Sequence, residues 1–235
     1  MKILYNKIKE TILDTFYPKF CVECKKHGEQ VCFDCVNSIY RIKTNTCFYC
    51  GRISKQSKHC ITCRSDNKDK LRGILVATRF DEGPTKEMIH YLKYNGYFEF
   101  ADLLGELMVE RIVRSGIPFE DYIVVPVPMH TSRIGERGYN HAELMARYIS
   151  HRLGYKGGLV LERVTNTVRQ IGLSREKRLK NIVGKIRCED KALIKDKNVL
   201  LVDDVATTGS TLKECANVLK ADGAKSVWTV VVAKR

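Results

Sequence analysis

Proline is scarce in this chain of 235 residues, with 5 in all, and glycine reaches only 16. That excludes a collagen-like repeat and a Pro-rich scaffold. No uncharged apolar run approaches the roughly 20 residues that a membrane-crossing helix needs. There is no Gly-Lys-Ser/Thr phosphate loop, no Gly-x-Gly-x-x-Gly dinucleotide turn, and no repeat beyond a series of cysteine pairs. Acidic residues are in deficit, 27 against 41 basic, for a formal net charge of +14. Such an excess favours polyanionic partners such as nucleic acid or phosphates and says little about fold. Hydrophobic residues at 44% and charged residues at 29% match ordinary globular usage and exclude wholesale disorder. The length suits two domains, at roughly 100–200 residues each.

An export signal is also missing. Met1 to Phe16 alternates Lys and Glu with Ile3, Leu4, Ile8, Ile12 and Phe16, with no apolar core segment and no small-residue cleavage site. That pattern predicts an amphipathic helix packed on its own protein. The alternative is a peripheral position on the inner face of the membrane. Either way the expected location is cytoplasmic.

Cysteine is plentiful. Eight of the 10 lie between residues 21 and 63 as four Cys-x-x-Cys pairs: Cys21/Cys24, Cys32/Cys35, Cys47/Cys50 and Cys60/Cys63. A two-residue spacing lets both sulfurs of a tight turn point at one ion, and two such turns complete a tetrahedral thiolate shell for zinc. A disulfide scaffold needs an oxidising compartment, and a redox relay needs far fewer pairs. The expectation is two structural zinc ions, one per consecutive pair of turns, with an interleaved arrangement as the alternative. All-sulfur shells leave no open position for substrate water, and metal binding would supply the folding free energy of so short a segment. His27 and His59 beside the turns are substitutes for a cysteine ligand. Residues 1–70 carry 14 basic and 7 acidic side chains, and two zinc ions on eight thiolates add about −4. The lasting positive field therefore belongs mostly to the remainder of the chain. Cys188 and Cys215 stand alone and are expected to be small buried hydrophobes.

The polar stretch Asn67 to Lys70 marks a boundary between residues 1–66, a helix and double zinc ribbon, and residues 71–235. Strands are expected at Gly73–Phe80, Tyr122–Val127, Leu159–Val164, Val199–Val202 and Val227–Val232. Helices are expected at Thr85–Tyr94, Phe98–Val113, Asn140–Leu153, Arg175–Ile182 (capped by Ser174) and Ser210–Ala221, with a turn at Asp81–Pro84. Strands alternating with helices predict an α/β fold with a parallel sheet and helices on both faces.

The chemistry concentrates in Val199–Leu212. Four apolar residues form a strand, Asp203 and Asp204 end it, and a small hydroxyl-rich turn opens a helix. Ligands of open α/β sheets bind beyond the carboxyl ends of strands, and a helix N-terminus is an anion site. Thr207, Thr208, Ser210 and Thr211 add hydroxyl donors, and Gly209 lets the backbone approach a phosphate. Asp203 and Asp204 would repel that phosphate, but they suit ribose hydroxyl groups. A sugar phosphate fits this order of residues. A plain Asp-rich turn with a Ser/Thr helix cap is the alternative.

Val199–Leu212 resembles the phosphoribosyl pyrophosphate (PRPP) motif of type I phosphoribosyltransferases. Nearly the whole chain resembles the ComF family of competence proteins: the four cysteine pairs, Leu92-Lys93-Tyr94, Val125-Pro126-Val127-Pro128, Arg137-Gly138-Tyr139-Asn140, Gln170 with Arg178 and Asn181, then the PRPP motif. Tyr139-Asn140-His141 stands where the family often has Phe-Asn-Gln. The resemblance implies a type I phosphoribosyltransferase-like domain in which Asp203 and Asp204 hold the ribose and Ala206, Thr207, Thr208, Gly209, Ser210 and Thr211 the 5′-phosphate. It implies a pyrophosphate loop at Val127–His130, including Pro128, Met129 and His130, with Arg133 and Arg137 poised for phosphate charge. Mg²⁺ would bridge pyrophosphate oxygens, and no covalent nucleophile is implied.

Residues 163–187 hold Arg163, Arg169, Arg175, Lys177, Arg178, Lys180, Lys185 and Arg187 against the single acid Glu176. This run would cover pyrophosphate or contact a DNA backbone, and either contact should be salt-sensitive. The functional expectation implied by the resemblance is handling of incoming single-stranded DNA in natural transformation, beside a DNA-uptake helicase or translocase. A phosphoribosyltransferase acting on a base or other small molecule is the alternative, and a PRPP-sensing regulator ranks last for want of a helix-turn-helix. The chain stops soon after Val227–Val232, where a base-recognition loop would usually follow, which favours binding over turnover.

Overall fold

The computed structural model describes residues 19–67, 70–119, 121–164 and 184–235. The expected helix at residues 1–16 and the helix 175–182 with its cap lie outside them. In chain order the elements are α1 (Phe33–Ser38), a 3-10 turn at Lys55–Ser57, α2 (Ile61–Asn67), β1 (Leu71–Arg79), α3 (Thr85–Tyr94), α4 (Glu99–Arg114) and β2 (Tyr122–Pro126). Then come α5 (Thr131–Arg137), α6 (His141–Leu153), β3 (Lys156–Gly157), β4 (Leu161–Arg163), β5 (Ile186–Cys188), α7 (Lys191–Ile194), β6 (Asn198–Ala206), α8 (Ser210–Ala221) and β7 (Ser226–Lys234).

Five strands form one parallel sheet in the order β1-β7-β6-β2-β3. Strand period two divides their apolar residues between two cores. Leu75, Val124, Leu200, Val202, Val230 and Val232 share one cluster with Met88 and Leu92 of α3, Leu104 and Met108 of α4, and Met145 and Ile149 of α6. Ile74, Ile123, Val125, Val199, Leu201 and Val231 face the other way, toward Leu212, Cys215, Ala216 and Leu219 of α8. Burial on both faces explains the unbroken apolar runs of β2 and β6. Cys188 and Cys215 are buried in this second cluster. The short strand expected at 159–164 forms at Leu161–Arg163, but it pairs antiparallel with β5, outside the main sheet.

The cysteine-rich segment lies along the free edge of β1. Arg41 bridges Thr78 and Lys58 bridges Gly73, both antiparallel. Ile42 N–H donates to Ala77 O at 2.9 Å, and His59 N–H to Arg72 O at 3.0 Å. An unpaired edge is thereby covered. Cys21, Val22, Val31, Cys35 and Ile39 join the first core, and Phe48 joins the second. Arg111 of α4, 2% exposed, donates from Nη2 to Asn45 Oδ1 (2.7 Å) and Ser57 Oγ (2.8 Å), and from Nε to Val76 O (3.1 Å). Gly73 is needed at this seam, since a Cβ there would sit 2.3 Å from Ser57 O and 2.5 Å from Trp228.

Candidate functional site

The eight cysteines gather as two tetrads, Cys21/Cys24/Cys32/Cys35 and Cys47/Cys50/Cys60/Cys63, with donor atoms within 4.8 Å of one another. Consecutive turns are therefore the partners, not interleaved ones. Cys24 Sγ lies 3.5 Å from Cys32 Sγ, and Cys50 Sγ 3.8 Å from Cys60 Sγ. A tetrahedral shell with Zn–S bonds of about 2.3 Å has edges of about 3.8 Å, so the sulfur sets fit zinc. The Cys32 N–H approaches Cys21 Sγ at 3.5 Å. Burial opposes a thiolate at Cys21, but surrounding backbone N–H groups outweigh it and lower its pKa to about 6. His59 is buried against the Tyr49 ring at 4.6 Å rather than within a tetrad.

The second centre sits at the carboxyl ends of β6 and β2. Here β6 runs further than expected: it continues past Val202 through both aspartates to Ala206, paired with β7 to Lys234. Strand alternation then gives the two carboxylates different surroundings, although their oxygens stay within 4.8 Å of one another. Asp203 stays half-buried and Asp204 is 5% exposed. Asp204 Oδ1 accepts from Val205 N at 2.7 Å. Its Oδ2 meets the Lys93 ammonium and, at 3.3 Å, His141 Nε2. Arg137 Nη1 lies 3.0 Å from His141 Nδ1. Guanidinium only donates, so Nδ1 accepts, the proton sits on Nε2, and Nε2 donates to Asp204. Burial pulls the His141 pKa down and keeps the ring neutral. Burial works against ionisation of Asp204 as well, but Lys93 and then His141 hold it well below the usual carboxylate range. Asp203 is pushed up to about 7, first by burial and then by the Asp204 charge.

Beyond β6, Gly209 has φ 73° and caps the start of α8. Thr208 Oγ1 donates to Ser210 Oγ at 3.1 Å, folding the hydroxyl-rich turn over the helix start. Beyond β2, Val127 N–H donates to Val202 O at 2.9 Å and holds the two loops side by side. Asn140 caps α6 through Ala142 N and donates to Val127 O at 3.0 Å. His130 caps α5, accepting from Ser132 N at 3.1 Å, so this imidazole turns back into its own loop. Pro128 is buried, while Met129, His130 and Arg133 are half-buried. Arg137 lies over the Tyr94 ring at 5.0 Å.

The fold thus brings Asp203, Asp204, the Ala206–Thr211 turn and the Pro128–His130 loop to one sheet end, and it ties Arg137 to Asp204 through His141. Arg163 was expected to face DNA. It is instead 8% exposed, with Arg133 and Asp203 among the charges that act on it. The other proposed DNA contacts, Arg169, Arg175, Lys177, Arg178 and Lys180, lie outside the described residues. The role of Lys93 went unread in the sequence. It stands 111 positions before Asp204, and only its place in Leu92-Lys93-Tyr94 marked it. His141, Asp203 and Asp204 offer three donor atoms to one point. The Lys93 ammonium on Asp204 Oδ2 already supplies a cation there, so the set does not fit a resident metal ion.

Residues 102–235 match the phosphoribosyl transferase domain family, and residues 12–64 the double zinc ribbon domain. The class is therefore a phosphoribosyltransferase-fold protein carrying an N-terminal double zinc ribbon. The chain belongs to the ComF family. It is 30% identical over 203 residues to the DNA utilization protein YhgH of Salmonella typhi, covering 84% of this chain and 87% of that one. To competence protein F of Haemophilus influenzae it is 26% identical, covering 90% and 95%. To competence protein ComFC of Bacillus subtilis it is 26% identical, covering 84% and 81%. Among solved structures, the glutamine PRPP amidotransferase of B. subtilis aligns at 19% identity and a TM-score of 0.38, over 56% of this chain and 25% of that longer one.

Proposed function

We propose that this protein binds PRPP with Mg²⁺ and handles incoming single-stranded DNA during natural transformation. The observation that carries the first half is the joint placement of the Asp203–Asp204 pair and the Ala206–Thr211 turn at the mouth of α8. Asp203 accepts the ribose hydroxyls. Asp204, locked by Lys93 and His141, fixes the strand end beside it. Ala206, Thr207, Thr208, Gly209, Ser210 and Thr211 take the 5′-phosphate with backbone N–H groups and hydroxyls. The Pro128–His130 loop takes pyrophosphate, with Arg133 and Arg137 supplying charge. Mg²⁺ bound with the pyrophosphate would offset the charge on its oxygens.

Loss of pyrophosphate from such a sugar passes through a cationic anomeric centre. This site would meet it with position and charge rather than with a covalent nucleophile. The names of the competence relatives support the DNA half of the reading, as does the basic run 163–187. Calorimetric titration with PRPP and Mg²⁺, repeated with single-stranded DNA, tests the whole. DNA that shifts PRPP affinity is the expected result, and PRPP should then shift DNA affinity by the same factor. PRPP binding indifferent to DNA would reject the DNA-handling half and turn the search to a base acceptor and pyrophosphate release.

A further inference from the structure

The turn from α3 to α4 sorts its aromatic side chains into two sets. Gly96, at φ 72°, follows the end of α3 and reverses the chain. Tyr91 and Tyr97 turn inward: they meet edge-on at 5.1 Å, and Tyr97 stacks on the buried Phe100 at 5.5 Å. Tyr94 and Phe98 stay outside, 56% and 53% exposed. One neighbouring stretch, Arg137–Tyr139, touches both. The Arg137 guanidinium lies over the Tyr94 ring at 5.0 Å, and Tyr139 meets Phe98 edge-on at 4.7 Å. The Tyr139 hydroxyl donates to Leu92 O, which pins that stretch to the end of α3. His90, one helical turn before Tyr94 and itself exposed, tilts against the Tyr94 ring at 5.0 Å.

Two half-open aromatic rings held on one patch are unfavourable in water, and a partner with flat apolar faces relieves that cost. A cation stacked on an exposed ring is the arrangement by which single-stranded nucleic acid is held without regard to its sequence. The patch is poorly suited to phosphate. Glu99 and Glu136, both exposed, adjoin Phe98 and Arg137 in sequence and would repel it. Its chemistry therefore fits base faces, with phosphate charge met elsewhere on a chain of net charge +14. Arg137 also bonds His141 at 3.0 Å, and His141 bonds Asp204. The patch and the sheet-end site thus share one side chain.

We propose that Tyr94 and Phe98 form a stacking platform for the bases of single-stranded nucleic acid. This rests on the DNA half of the reading above and adds the surface that takes the bases. A duplex does not fit, because its base faces are already stacked on one another.

The test is fluorescence anisotropy of the zinc-loaded full chain with three labelled probes: an oligothymidylate of about 12 nucleotides, an abasic phosphodiester strand of the same length, and a duplex of that length. The wild-type protein should bind the thymidylate more tightly than the other two. Tyr94→Ala and Phe98→Ala should each weaken thymidylate binding by about tenfold, and Tyr94→Phe should restore it. The salt slope should not change, since no phosphate contact is lost. Affinity for the abasic strand should stay within about twofold. Both side chains are exposed, so unchanged circular dichroism separates these losses from misfolding. Salt-sensitive thymidylate binding that neither alanine variant alters overturns the platform and leaves the DNA reading standing. No binding of any strand by the wild-type chain overturns both. An equal loss for the abasic strand, or a duplex bound as tightly as the single strand, also overturns the platform. So does a concentration-dependent dimer that Tyr94→Ala abolishes, which would assign the patch to a second copy of this chain.

Discussion

Asp204 gives one oxygen to Lys93 and His141 and the other to the Val205 N–H, whereas Asp203 gives one oxygen to the Asp204 N–H and is the more exposed carboxylate of the pair. A pKa near 7 at Asp203 has a consequence of definite sign. The folded protein keeps that proton up to about pH 7, whereas an ordinary aspartate releases it near 4. Asp203 therefore subtracts stability as pH rises across this window, and its ionised, hydroxyl-accepting form dominates above it. Relative to Asp203→Asn, the wild-type protein should lose melting temperature and gain PRPP affinity between pH 5.5 and 8. Parallel curves for the two proteins would contradict this. Asp204→Asn acts differently, since Lys93 (22% exposed) then loses its partner. A loss of about 3 kcal/mol in urea unfolding is expected. Stability within about 0.5 kcal/mol of wild type would show that the pair is worth no more than a surface one.

Helices with a long apolar stripe were legible from sequence. Thr85–Tyr94 and Ser210–Ala221 form with the expected bounds, because each buries residues at helical spacing. The helix Thr131–Arg137 was not expected. It is seven residues long, contains Gly135 and buries nothing, so no periodicity betrays it. Asp203 and Asp204 were read as the end of the strand, yet pairing with β7 carries it through them to Ala206. The ribbon's grip on β1 was illegible for another reason: Arg111, Asn45 and Ser57 meet across more than 50 residues of sequence. That grip shapes the response to metal removal. A strong chelator should unfold residues 21–63, leave β6 and α8 folded, and expose the β1 edge. Hydrogen exchange should show amides of Leu71–Arg79 losing protection along with the ribbon while those of Val199–Val202 keep theirs. Full protection of the ribbon in metal-free protein would refute a structural role for zinc.

Across the whole molecule, the +14 net charge favours phosphate-bearing partners but does not say which residue would meet which phosphate. Arg163 belongs by composition to the basic run but by position to the buried surroundings of Asp203. Arg163→Met should therefore weaken PRPP binding and leave single-stranded DNA affinity within about twofold, with an unchanged salt slope, since no phosphate contact is lost. A reduced slope in filter binding would return Arg163 to the DNA surface. Among the described residues no helix is long and apolar enough to cross a membrane.

The most direct measurement is titration of the zinc-loaded chain with PRPP and Mg²⁺, wild type beside Asp203→Asn and Thr208→Val. Saturable one-to-one binding, lost or weakened at least tenfold in both variants while their circular dichroism spectra stay unchanged, is the predicted result. No binding by the wild-type chain, or equal affinity in all three, would contradict the assignment of the β6–α8 turn to a ribose phosphate.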